Sequence, residues 1–162
     1  MKKILLLTFT ATFMFLLNST STAAQDKKFE ITGASYYSTG MFQSNVIGEV
    51  SLGYDVTKTV SLSLNGMTGN LYSSDKTWGA SFEVGAKPKI CERFFMIPSL
   101  EVGALGGMLN GTHYNIRAFA GLGVEARFML YDNFFCGFES KFMSAGAGLE
   151  TFLFGLKLGI KF

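Results

Sequence analysis

From residue 28 onward, apolar side chains recur at every second position over long stretches of the chain. The segment Thr151 to Phe162 is the clearest case. Phe152, Phe154, Leu156, Leu158, Ile160 and Phe162 stand at even positions, and Thr151, Leu153, Gly155, Lys157, Gly159 and Lys161 at odd ones. Successive side chains of a strand point to opposite faces, so a period of two predicts a strand with one apolar face and one face of charges and glycines. The same division recurs in Lys28 to Tyr37, Val46 to Val56, Val60 to Gly69, Trp78 to Lys87, Phe94 to Met108, Tyr114 to Leu130 and Asn133 to Ser144, which makes eight predicted strands. All charged residues in these spans fall on the second face: Lys28, Glu30, Glu49, Asp55, Glu83, Lys87, Glu101, Arg117, Glu125, Arg127, Glu139, Lys141, Lys157 and Lys161.

The connections between these spans alternate in length. Thr57 to Thr59, Pro88 to Arg93 and Tyr131-Asp132 form a short set, while Ser38 to Asn45, Asn70 to Thr77, Leu109 to His113 and Ala145 to Glu150 form the other. That alternation predicts an up-and-down barrel with short periplasmic turns, longer outer loops and both ends on the periplasmic side. Pro98 falls inside the fifth span, where a residue without an N–H calls for a bulge or a later strand start.

Alternation alone does not say which face is inside. In a soluble barrel or sandwich the Phe/Leu face is the core; in a membrane barrel it faces lipid. Three features favour the membrane barrel. Gly53, Gly69, Gly79, Gly85, Gly103, Gly107, Gly121, Gly123, Gly137, Gly155 and Gly159 share the charged face, and the narrow interior of an eight-stranded barrel needs small residues between large ones. The acidic and basic residues of that face balance, as a closed interior requires. Aromatics stand near the strand ends of the apolar face, with Phe29, Tyr54, Phe94, Phe128, Phe134 and Phe162 at one rim and Tyr37, Trp78, Phe142 and Phe152 at the other. Such girdles mark the two membrane interfaces.

Composition fits this division. The chain is 48% hydrophobic yet holds 19 glycines, an awkward mixture for a soluble core. Residues 1–24 read as a secretory signal peptide: Lys2-Lys3, an apolar run from Ile4 to Leu17, then small residues to Ala24. That run is shorter than the ~20 residues of a membrane-spanning helix. Residues 25–162 then form one domain, with no later apolar run long enough for such a helix. The formal charge of +2 comes from Lys2 and Lys3, because the other basic and acidic residues cancel. Nucleic acid is therefore not an expected partner.

With these features the chain resembles the small eight-stranded outer-membrane barrels, the OmpA-like and OmpX-like families, over residues 25–162. Leu156, Leu158, Ile160 and Phe162 resemble the terminal signal that, in those families, the barrel-assembly machinery reads. The resemblance implies outer-membrane residence, with outer-membrane lipids and lipopolysaccharide as surroundings, and a structural or surface-interaction role. It implies nothing about oligomeric state.

Candidate chemistry is sparse. His113 is the only histidine and falls in the predicted third outer loop, with Ser73, Ser74 and Asp75 in the second. A His/Ser/Asp cluster at the outer rim would suit acyl transfer, and some eight-stranded barrels are lipid A acylases or deacylases. The spacing here does not match their motifs, and Ser-Ser-Asp-Lys is an ordinary polar turn. No catalytic residue is assigned. Cys91, in a turn, and Cys136, on the lipid face, are expected to be isolated thiols, and one His with two distant Cys makes no zinc site of the usual kind. No metal or cofactor is expected. The lumen charges read most simply as a hydrogen-bonded plug, with a narrow pore as the alternative.

Overall fold

The computed structural model describes residues 29–40, 44–70, 76–109, 112–146 and 150–162. The proposed signal segment lies outside them. The strands are β1 (Phe29–Gly40), β2 (Ser44–Asp55), β3 (Val60–Gly69), β4 (Lys76–Ala86), β5 (Lys89–Cys91), β6 (Phe94–Leu109), β7 (Thr112–Met129), β8 (Phe134–Ser144) and β9 (Glu150–Lys161). Each long strand pairs antiparallel with its neighbours in sequence, β9 returns to pair with β1, and β4 pairs with β6. Eight strands thereby close into an up-and-down barrel, and β5 is a short flap on the start of β6. Closure removes the free edges that an open sheet of this length would expose. The rim holding Phe29 and Lys161 is called the inner rim below.

Three expectations about connections are corrected. Pro88 to Arg93 is not a bare turn, because it contains β5, which also takes Cys91 out of a turn and into a strand. The outer connections are not consistently longer than the inner ones: strands run on to Gly40, Leu109 and Ser144 and resume at Ser44, Thr112 and Glu150, while β3 ends at Gly69 and β4 resumes at Lys76. Pro98 causes no bulge. It keeps continuous register with Val124, and it falls where β6 has neither β5, which stops at Phe95, nor β4, which begins at Ser99. A local gap of this kind behaves as an edge and tolerates a residue without an N–H. The turn between β2 and β3 is closed by Thr57, whose Oγ1 accepts the N–H groups of Thr59 and Val60 at 3.2 and 3.0 Å.

The apolar face points outward. Val50, Leu52, Leu64, Val102, Phe138, Leu156 and Leu158 are all exposed, whereas Glu49, Ser51, Asn65, Glu101, Glu139 and Lys157 are buried. This is the inverse of a soluble protein, and it suits a surface solvated by hydrocarbon. Aromatic pairs stand at the rims as expected. Phe29 lies against Tyr54 with ring centroids 4.9 Å apart and Phe94 near Phe128 at 6.4 Å on the inner side, while Phe142 meets Phe152 at 4.9 Å on the outer side.

Candidate functional site in the lumen and its rims

Strand alternation sends one side chain in two into the barrel, and register decides which of them meet. Large lumen residues stand directly across from glycines. Tyr36 pairs with Gly155, Phe135 with Gly159, Phe119 with Gly103 and Met143 with Gly121. A Cβ at Gly155 would come within 2.4 Å of the Tyr36 ring, and one at Gly159 within 2.2 Å of Phe135. The glycines are thus the floor on which lumen side chains lie, which is why they share a face with them.

The lumen has two layers. Toward the outer rim Tyr36, Ile47, Met67, Leu105, Phe119, Met143, Ala145 and Leu153 form an apolar cluster. Below it runs one connected set of ion pairs. Lys161 holds Asp55 at 2.6 Å, and Lys87 bridges Asp55 at 2.6 Å and Glu30 at 2.9 Å. Arg127 spans Glu30 at 2.9 Å and Glu125 at 2.5 Å, with its guanidinium 3.9 Å from the centre of the Phe135 ring. Lys157 links Glu125 at 3.4 Å to Glu139 at 3.0 Å. The chain of contacts ends at Lys141, whose ammonium faces Glu101 at 3.2 Å, Glu49 at 3.1 Å, Glu83 at 3.5 Å and Glu139 at 3.6 Å.

The expected charge balance does not hold inside the barrel. Among the described residues the lumen network contains seven carboxylates (Glu30, Glu49, Asp55, Glu83, Glu101, Glu125, Glu139) and five cations (Lys87, Arg127, Lys141, Lys157, Lys161). Arg117 accounts for part of the difference: it is exposed on β7 beyond the last residue of β8, and Lys28 lies outside the described residues. Neutral donors make up some of the deficit around Lys141. The Tyr36 hydroxyl donates its one proton to Glu139 and lies 3.2 Å from Glu49, Ser81 donates to Glu101, and Asn65 Nδ2 donates to Glu83 at 3.1 Å. Hydrogen bonds to a carboxylate are stronger than neutral ones, so these donors help stabilise buried charge.

At the inner mouth a cavity of about 610 Å³ opens between Lys87, Arg93, Arg127, Tyr131, Asp132 and Lys161. Three of its cations already have carboxylate partners in the network.

Of the candidate acyl-transfer residues, the described part of the structure holds only the backbone of His113. His113 lies in β7, paired with Met108, and not in a loop; Ser73, Ser74 and Asp75 lie outside the described residues. Cys91 and Cys136 are both unbridged. The apolar lumen layer was the feature that the division into charged and greasy faces obscured. Its signal was present in Phe119, Met143 and Leu153, which sit among the charged-face positions near the outer strand ends.

No family model and no curated protein matches the sequence. Solved structures do match the fold. Neisserial surface protein A (NspA) aligns with a TM-score of 0.65 at 11% identity, covering 86% of this chain and 99% of that one. The N-terminal β-barrel domain of Pseudomonas aeruginosa OprF aligns with a TM-score of 0.66 at 13% identity, covering 85% and 100%. Ail, the attachment invasion locus protein of Yersinia pestis, aligns at 0.57 and 12% identity, covering 84% and 97%. The chain is an all-β, closed, eight-stranded up-and-down barrel with the fold of the small outer-membrane barrel proteins.

Proposed function

We propose that the protein is an integral outer-membrane barrel whose lumen is sealed and whose role is structural or lies in contacts made at its outer rim. The observation that carries this reading is the filled interior. Eight strands leave room only for side chains, and here they supply an apolar layer above a continuous ion-pair network. Lipids and lipopolysaccharide surround the exposed apolar belt, and the barrel-assembly machinery reads the terminal segment ending in Phe162. The absence of catalysis belongs to the same reading.

Two measurements test it. The protein should fractionate with the outer membrane and migrate differently on a gel before and after heating; recovery only from the soluble periplasm contradicts the assignment. Purified barrel in planar bilayers should give no steady, large single-channel steps, and such steps would replace the plug with a pore.

A further inference from the structure

The cavity at the inner mouth is built by side chains of the lumen face. Phe95, Ile97, Arg127 and Met129 line it, while their neighbours Phe94 and Phe128 stand on the opposite face of the same strands. β6 and β7 stay paired behind them, from Phe94 opposite Phe128 to Ile97 opposite Glu125, so the wall is closed there. The exposed turn residues Glu92, Arg93 and Asp132 form the lip, and the space opens past them. Backbone bonds hold this frame in shape. The Arg93 carbonyl accepts the Met129 N–H at 2.8 Å, the Asn133 carbonyl accepts the Lys161 N–H at 2.8 Å, and the Phe134 carbonyl accepts the Leu130 N–H at 2.9 Å. A site shaped before binding loses less conformational freedom when a ligand arrives.

Charge in this cavity is divided by depth. Lys87, Arg127 and Lys161 line its floor, but the carboxylates that hold them, Glu30, Asp55 and Glu125, lie behind them in the network and outside the lining. The Lys161 ammonium gives one of its three N–H groups to Asp55, and that of Lys87 gives two, to Glu30 and Asp55. Among the described residues each therefore keeps a donor for a ligand. At the lip the carboxylates outnumber the cations. Glu92 and Asp132 are exposed there beside Arg93, and none of the three has a charged partner among the described residues. Phe95, Ile97 and Met129 supply an apolar side.

We propose that the inner mouth binds a short peptide with free ends and an apolar side chain, its carboxylate inward at Lys161 and Lys87 and its ammonium outward at Asp132 and Glu92. Charge-assisted hydrogen bonds are the strong ones, and both ends of such a ligand make them here. A simple anion uses the floor alone and a simple cation the lip alone, whereas a zwitterion uses both. Length follows from the space: a cavity of about 610 Å³ is about 10 Å across, which about three extended residues span. A phospholipid headgroup carries the same two charges, but its acyl chains belong on the opposite face of the β6–β7 wall. Such a site stands apart from contacts at the outer rim, and with the outer-membrane reading above it faces the periplasm.

Titration calorimetry on the barrel in phosphatidylcholine nanodiscs tests this, with empty discs as the blank and the tripeptide alanyl-leucyl-alanine as the probe. Amidating its carboxylate or acetylating its amine should each weaken binding about tenfold or more. Asp132→Asn combined with Glu92→Gln changes only exposed side chains outside the ion-pair network, and should leave the acetylated and free peptides bound equally. Lys161→Gln should shrink the difference between the amidated and free peptides, in a barrel whose heat-modified gel migration shows that it has formed. Equal affinity for the free and the doubly blocked peptide overturns the inference, as does displacement of the peptide by glycerophosphoethanolamine at equal concentration. No binding of the free peptide to a formed barrel overturns it too, and leaves the sealed lumen, which planar bilayers test, in place.

Discussion

The two layers of the lumen close the same barrel by different physics. Near the outer rim Ile47, Leu105 and Phe119 fill space against Gly69, Gly79 and Gly103 across the ladder, so their stability depends on matched volume. Below them Lys141, Lys157, Arg127 and their carboxylates also fill space, but each is tolerable only while its partners remain. The comparison teaches that an apolar plug tolerates loss in proportion to the atoms removed. A charged plug fails by leaving an uncompensated charge behind.

Substitutions can break that contrast, and the charged layer should yield most. Lys141→Met takes the shared ammonium from Glu49, Glu83, Glu101 and Glu139, and should cost about 3–5 kcal/mol in urea unfolding from lipid vesicles. Adding Glu101→Gln to that variant should recover part of the loss; no recovery would mean that packing, and not charge, sets the cost. In the apolar layer Leu105→Ala should cost about 2–5 kcal/mol by the same measurement, and should not respond to Glu101→Gln. On the outer face Leu156→Lys should cost ~2–4 kcal/mol in bilayers, because it puts an ammonium where lipid lies. A water-facing position would show nearly no loss. Gly155→Ala is the mildest, at about 1–3 kcal/mol, since its methyl group meets the Tyr36 ring and the Ser35 carbonyl. A Tyr36→Leu background should relieve only the ring's share of that cost, because the Ser35 carbonyl stays in place, as judged by the same unfolding midpoint.

Much of this is legible in the sequence. The span Val60 to Gly69 coincides with β3, and the faces of Glu49, Glu83, Glu125 and Lys157 follow from period two alone. What alternation could not show is register. Which glycine lies beneath which ring, and that Lys141 reaches four carboxylates, depend on pairings between residues far apart in sequence. Alternation also could not tell where a strand outlasts its neighbour. Arg117 was assigned to the lumen by parity, yet β8 ends before reaching it, so parity there no longer means burial. The flap β5 was hidden for a similar reason, because three residues are too few to display a period.

The central claim is that the Phe/Leu face meets lipid and the charged face does not. Trp78 is the chain's single tryptophan and stands half-exposed on the outer face near the outer rim. Its fluorescence, in vesicles, should be quenched strongly by lipids brominated high on the acyl chain and weakly by iodide in the water. Strong iodide quenching with no response to the brominated lipids would place that face in water and contradict the account.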